Sequence, residues 1–291
     1  MGDDLTSGGP PMGSRRSRIT GQPGRREGTR GVTIAVVSTA VVFVAIVFAV
    51  TNSPYWPEVK DFFFNREIFL DSLPQVLAKF RRNILYFCIA EVFVLGLALL
   101  LAVMRSLRGP VFTPIRGMAI IYTDVFRGIP TILVVYLLAF GIPTLQIPGL
   151  PNSPTFWAIV GLILSYSAYV SEVYRAGIES VHPSQVSAAR SLGLSRGQSL
   201  RHVVIPQAIR RVVPPLMNDF VALQKDTAII AFVVAVPEAF KQGQILKAAS
   251  FNMTPLVVVS LVFLVITIPM TRLTDYLVER ERRRRQSGSA V

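Results

Sequence analysis

Four polar side chains interrupt an apolar run in the last third of the sequence. Asn218, Asp219, Lys225 and Asp226 stand at i, i+1, i+7 and i+8 within residues 213–236. Seven residues make nearly two turns of an α-helix, so all four are expected along one stripe. Ionisable groups facing lipid are costly, so the stripe must face a helix bundle, a partner subunit or water. It reads either as a wall of a translocation path or as an internal ion pair, Lys225 with Asp219 or Asp226. Glu91 stands alone in another apolar run, where a carboxylate could meet a cationic substrate group or, neutral, hydrogen-bond a neighbouring helix. Asp124 and Arg127 are three residues apart and can pair on one helix face. Gly128 and Pro130 follow them. Pro130 removes a backbone hydrogen bond, and a broken helix exposes backbone groups able to hold a ligand; the plainer reading is a kink.

Other chemistry is missing from the sequence. There is no G-x-x-x-x-G-K-[ST] run to cradle ATP. The two histidines, His182 and His202, lack metal-ligand spacing with a second donor. No nucleophile has a supporting base. The chain is therefore expected to be no enzyme and to bind no metal or cofactor itself.

The elements that must carry these residues are membrane helices. The chain has 291 residues, 51% hydrophobic and only 16% charged, where soluble domains run nearer a quarter charged. Its single cysteine, Cys88, allows no disulfide framework. The net charge of +13 does not point to nucleic acid, because six arginines lie in residues 1–31 and six in 272–285, flanking apolar segments. That distribution is the positive-inside pattern. Residues 32–50 are uncharged and of spanning length, longer than the apolar part of a secretory signal, and read as a retained helix. Further spans are expected at about 83–104, 118–140, 155–172, 213–236 and 255–275. No strand-like alternation competes with them, so the fold class is all-α, with about six transmembrane helices.

The segments between follow. Residues 1–31 read as a disordered basic tail, 51–82 as an extracytoplasmic loop with an amphipathic elbow, and 276–291 as a basic tail. A core spans 83–275. Six spans with a cytoplasmic N-terminus put the basic regions 105–117, 173–212 and the C-terminal tail inside, and the uncharged loop 141–154 outside. Lys79, Arg81 and Arg82 then fall on the outer side, which the charge rule does not explain.

Within the polar loop 173–212, residues 187–206 read SAARSLGLSRGQSLRHVVIP. Arg190, Arg196, Arg201 and His202 keep this stretch out of lipid. Ala188, Ala189 and Gly193 permit close approach of another surface, and Gly193 allows a turn with positive φ. The pattern resembles the coupling loop of ABC importer permeases: EAA, three residues, Gly, nine residues, then I-x-L-P. Ala188, Ala189, Gly193, Ile205 and Pro206 match in type and spacing, while Ser187 stands where the family has Glu. Ser187 keeps a hydrogen-bonding group, able to cap a helix N-terminus, but loses the charge.

From Tyr166 to Gln244 the chain is similar to the polar-amino-acid branch of that family, through SAYVSEVYRAGIESV and PQAIRRVVPPLMNDFVALQKDTAII. Arg127-Gly128-Ile129-Pro130 resembles that branch's R-G-T-P. Residues 1–72 lie outside the resemblance, so the helix at 32–50 is an addition to a five-helix core.

The resemblance implies a permease subunit of the cell (inner or cytoplasmic) membrane, with both termini cytoplasmic, importing polar amino acids by alternating access. Implied partners are ATP-binding-cassette ATPase subunits carrying ATP and Mg, an extracytoplasmic substrate-binding protein, and a second permease chain as homodimer or heterodimer. The K-D-T run at Lys225 resembles a general feature of the family across substrates, which favours a structural or gating role for the stripe. The competing classes are an ion-gradient-driven secondary transporter, against which the lack of an inverted repeat argues, and a non-transporting membrane adaptor.

Overall fold

The structure, a computed structural model, describes residues 25–107, 109–234 and 236–288. The expected tail at 1–24 and residues 289–291 lie outside the described residues. The chain divides into two compact units, residues 1–58 and 59–291. In the first unit the main element is α1 (Arg25–Thr51), so residues 25–31, expected to be disordered, are its first turns. At about 1.5 Å per residue, this helix is long enough to cross a bilayer, and its Gly31–Thr51 part is uncharged and strongly apolar.

The second unit is entirely helical among its described regular elements. A short aromatic helix, α2 (Trp56–Phe64), begins at the unit boundary and leads into α3 (Arg66–Ser106). Asn65 caps α3 by accepting from the Ile68 amide at 3.1 Å. The expected loop and elbow at 51–82 are thus helical from Trp56, and α3 starts well before residue 83. The reason is visible in burial. Ser72, Val76, Phe80, Asn83 and Phe87 form an inward stripe, while Arg81 and Arg82 point out. The basic residues that look like an interruption in the sequence occupy the exposed side of an unbroken helix, from which Arg82 donates to the Pro237 carbonyl at 2.9 Å.

The span expected at 118–140 is two helices. α4 (Thr113–Gly128) and α5 (Thr131–Thr144) meet at 101°. Ile129 between them is extended (φ −96, ψ 131), as a residue before proline prefers. α6 (Pro154–Glu179) is capped by Ser153, which accepts from the Phe156 amide. It runs seven residues beyond the expected end at 172. A polar connection follows, built of α7 (Pro183–Ser191), one turn of α8 (Arg196–Ser199) and a widened π-type turn over Leu200–Val204. That turn passes without a break into α9 (Ile205–Val234), which carries Pro214 and Pro215 inside it instead of starting there. α10 (Ala239–Ser250) bends away from α9 by 53°, and α11 (Thr254–Gly288) ends the chain. The basic stretch expected as a separate tail from 276 continues α11 as helix to Gly288.

Among the described residues, four helices are individually long and apolar enough to span, and up to six spans are counted if each bent pair is one. Two apolar clusters hold the second unit together. One joins α3, α5, α6 and α9 around Ala90, Val94, Val135, Leu162, Leu223 and Ile230. The other joins α3 to α10 and α11 through Val76, Phe80, Ala239, Val258 and Val262. A buried polar link ties these halves. Asn83 donates to Glu238 Oε2 at 2.6 Å and to Thr227 Oγ1 at 3.2 Å, and accepts from the Ala239 amide. Glu238 also caps α10, accepting from the Lys241 amide at 2.7 Å. Its carboxyl group therefore sits at the positive end of a helix dipole.

Candidate functional site: a polar strap and the charged helix interior

The connection between α6 and α9 carries the six residues expected to contact an ATPase. Pro183 starts α7 where its missing N–H is harmless, and the His182 ring accepts from the Ser184 amide as the cap. Ser187 lies mid-helix, exposed, so it does not cap α7; its carbonyl accepts from the Ser191 hydroxyl. Ala188 is exposed beside it, whereas Ala189 is buried within the strap together with Val181, Ser199 and Val204. Gly193 has φ +87 and closes α7: its amide donates to Arg190 O, and the Leu194 amide to Ala189 O. This is a glycine-dependent helix stop. The space around its Cα is open, so within this chain the backbone angle is what requires glycine. Leu192, 83% exposed, presents an apolar side chain at the tip. Ile205 and Pro206, both exposed, form the first turn of α9.

In α9 the four polar residues do not share one face. Residues seven apart lie about 20° apart around a helix, but adjacent residues are about 100° apart. Asn218 and Lys225 are accordingly exposed, and Asp219 and Asp226 half-buried. Asp226 accepts from the Tyr166 hydroxyl of α6 at 2.7 Å. Asp219 Oδ2 is buried with no hydrogen-bond partner, and Glu91 of α3 lies within electrostatic range of it. Lys225 forms no ion pair with Asp219 or Asp226, so the expected internal pair is absent.

Arg127 does not pair with Asp124 either. Asp124 is exposed, and the Arg127 guanidinium reaches Glu172 of α6 at 3.6 Å and lies 5.9 Å from the Tyr169 ring centre. Glu172, which the sequence reading did not single out, is the centre of this region. Its Oε1 also takes Arg105 of α3, and its Oε2 takes Arg175 through Nε at 3.0 Å and Nη2 at 2.7 Å. Arg175 extends to Glu179 at 2.5 Å. One carboxylate thereby joins α3, the bend after α4, and α6. Such multiply hydrogen-bonded, charge-assisted contacts are stronger and more directional than isolated surface pairs. The Arg-Gly-Ile-Pro run was a usable signal for the bend, but nothing in it points to Glu172.

A helical chain with four to six candidate spans and a structured polar strap between two of them has the layout of an importer permease subunit. Residues 95–283 match the family described as binding-protein-dependent transport system inner membrane component, and the chain belongs to that family. It is 33% identical over 218 residues to the Bacillus subtilis protein named probable glutamine ABC transporter permease protein GlnM, covering 74% of this chain and 97% of that protein. It is 31% identical over 163 residues to the glutamine transport system permease protein GlnP of Escherichia coli strain K12, covering 56% and 74%. Among solved structures, a chain of an amino acid ABC transporter crystallised with histidines superposes with a TM-score of 0.65 at 29% identity, covering 74% of this chain and 96% of that one. A chain of a bacterial ABC transporter for alginate import, 13% identical with a TM-score of 0.58, shares the fold.

Proposed function

We propose that this permease subunit imports polar amino acids, and that α7 is the element through which separate ATPase subunits drive it. The observation that carries the reading is the strap. Residues 180–204 form an ordered polar structure between two spanning helices, in which α7 is capped by His182 and Gly193 and leaves Ser187, Ala188 and Leu192 exposed. A lipid-facing segment would not expose such a surface, and a mere topology loop would not need capping at both ends. The relatives' glutamine and amino-acid names support the substrate class. In this reading the strap and both termini face the cytoplasm, and ATP and Mg are held on the ATPase partners. An extracytoplasmic binding protein delivers substrate, and a second permease chain completes the pore. The exposed Asn218 and Lys225 then face that second chain or the path between the two. Asp219, Asp226 and Glu91 lie on the inner helix faces that move when the path opens alternately to each side; Asp124 and Arg127, exposed at the bend, belong to the rim. Residues 32–50 add a helix outside the matched region.

Affinity purification of the tagged chain in mild detergent tests the central partner. A co-purifying chain with a G-x-x-x-x-G-K-[ST] sequence and ATPase activity is expected. Gly193→Asp should abolish that association while the protein still inserts. A wild-type chain that purifies alone and transports amino acid in proteoliposomes without ATP would overturn the reading.

A further inference from the structure

Two contacts outside the residues considered so far fix where the strap joins the bundle. At Gly177, near the end of α6, backbone meets α9: a methyl group there would run into Val212 Cγ2 and lie 3.4 Å from the Ala208 carbonyl. Gly177, Ala208 and Val212 are all buried. One turn further along, the guanidinium of Arg211 on α9 donates to the carbonyl of Ser180, the residue that ends α6. That carbonyl belongs to the last turn, whose oxygens have no partner within the helix, so a cation there also meets the negative end of the α6 dipole. The strap thus leaves α6 and returns to α9 through one closed joint. Beyond it, α9 is tied to α6 by Tyr166 and Asp226, and α6 is tied to α3 and α4 by Glu172.

We propose that Arg211 is a positioning residue for transport: by holding the Ser180 carbonyl beside the Gly177–Val212 crossing, it closes residues 181–204 into a rigid strap that passes movement of α7 into α6 and α9 together. The argument rests on the coupling role of α7 proposed above. Without the guanidinium, the joint at 180 and 211 loses its polar tie and keeps the apolar crossing below it. A push on α7 then flexes the strap in place of moving both helices. Arginine suits the position because its planar fork with several N–H donors reaches a carbonyl while staying partly solvated.

The test uses the assembled complex in proteoliposomes, comparing wild type, Arg211→Lys and Arg211→Gln for ATP hydrolysed, amino acid taken up, and ATPase co-purification. Co-purification should be unchanged in all three, which separates this proposal from the coupling reading itself. In Arg211→Gln, uptake per ATP hydrolysed should fall about tenfold while hydrolysis persists. Arg211→Lys, which keeps a donor on a flexible stem, should fall between. A merely structural arginine would lower complex yield and leave the ratio alone. An unchanged ratio in Arg211→Gln overturns the proposal, as does a parallel fall of uptake and hydrolysis. If Arg211→Gln does not assemble, a wild-type ratio in Arg211→Lys overturns it equally.

Discussion

The Tyr166 hydroxyl of α6 donates to the Asp226 carboxylate of α9 at 2.7 Å, and this bond joins the two helices that bracket the strap. Tyr166 is itself buried, 7% exposed, and packs in the cluster shared by α3, α5, α6 and α9. Removing the hydroxyl leaves the ring packing intact and deprives Asp226 of its donor. A hydrogen bond to a charged group contributes about 1.5–3 kcal/mol. Tyr166→Phe should therefore destabilise the chain by about 2 kcal/mol. Asp226→Asn, whose amide oxygen still accepts, should cost less. Thermal unfolding of the two variants in detergent decides this, and an unaffected Tyr166→Phe would show that the bond contributes nothing.

Glu172 gathers Arg105, Arg127 and Arg175 with 18% of its side chain exposed. Breaking a fully buried ion pair costs about 3–5 kcal/mol, and partial solvent access lowers that here. Glu172→Gln should destabilise by about 2 kcal/mol and loosen the α4–α6 contact. Proteolysis or hydrogen exchange should then detect faster opening around the bend at 128–131. Arg127→Gln, removing the 3.6 Å contact to Glu172 and the contact with the Tyr169 ring on a guanidinium 44% exposed, should change stability by less than about 1 kcal/mol.

Lys225 gives a sharper contrast with sequence spacing. It is exposed and forms no ion pair with either neighbouring aspartate. Substitution at such a position typically stays within about 0.5 kcal/mol. Lys225→Met should leave the stability of the isolated chain unchanged, and a second change, Asp226→Asn or Asp219→Asn, should bring no rescue. A large loss of stability reversed by either second change would reinstate the internal pair.

Gly193 can be probed by which side chain it tolerates. Its φ of +87 costs an ordinary L-residue about 1–2 kcal/mol, and asparagine is the usual exception at helix ends. Gly193→Asn should keep most uptake and ATPase association, while Gly193→Val loses both. Equal loss in Gly193→Asn would mean that closeness to a docked surface, not the backbone angle, excludes side chains.

The sequence carried the fold because membrane helices announce themselves locally. The apolar run at 32–50, the uncharged loop at 141–154 and the flanking arginines needed no knowledge of tertiary contacts. What escaped it was the identity of neighbours. Arg127 stands three residues from Asp124, and spacing alone joins them, yet the bend after Gly128 turns the guanidinium to Glu172, on another helix. Lys225 and Asp226 are adjacent in sequence, but one step of about 100° places them on different faces. Glu172 stands at the expected end of a span, where a carboxylate bears little desolvation cost, so sequence position alone does not mark it. The length of α3 was hidden for a similar reason: Arg81 and Arg82 look like a boundary until the buried stripe from Ser72 to Phe87 shows that they occupy its outer face.

The most direct test of the account is uptake from a radiolabelled mixture of polar amino acids into proteoliposomes holding the complete complex, with the binding protein outside and ATP inside. Uptake should require hydrolysable ATP, persist when protonophore and sodium ionophore collapse ion gradients, and vanish in Gly193→Asp. Uptake that follows an imposed ion gradient in the absence of ATP would contradict it.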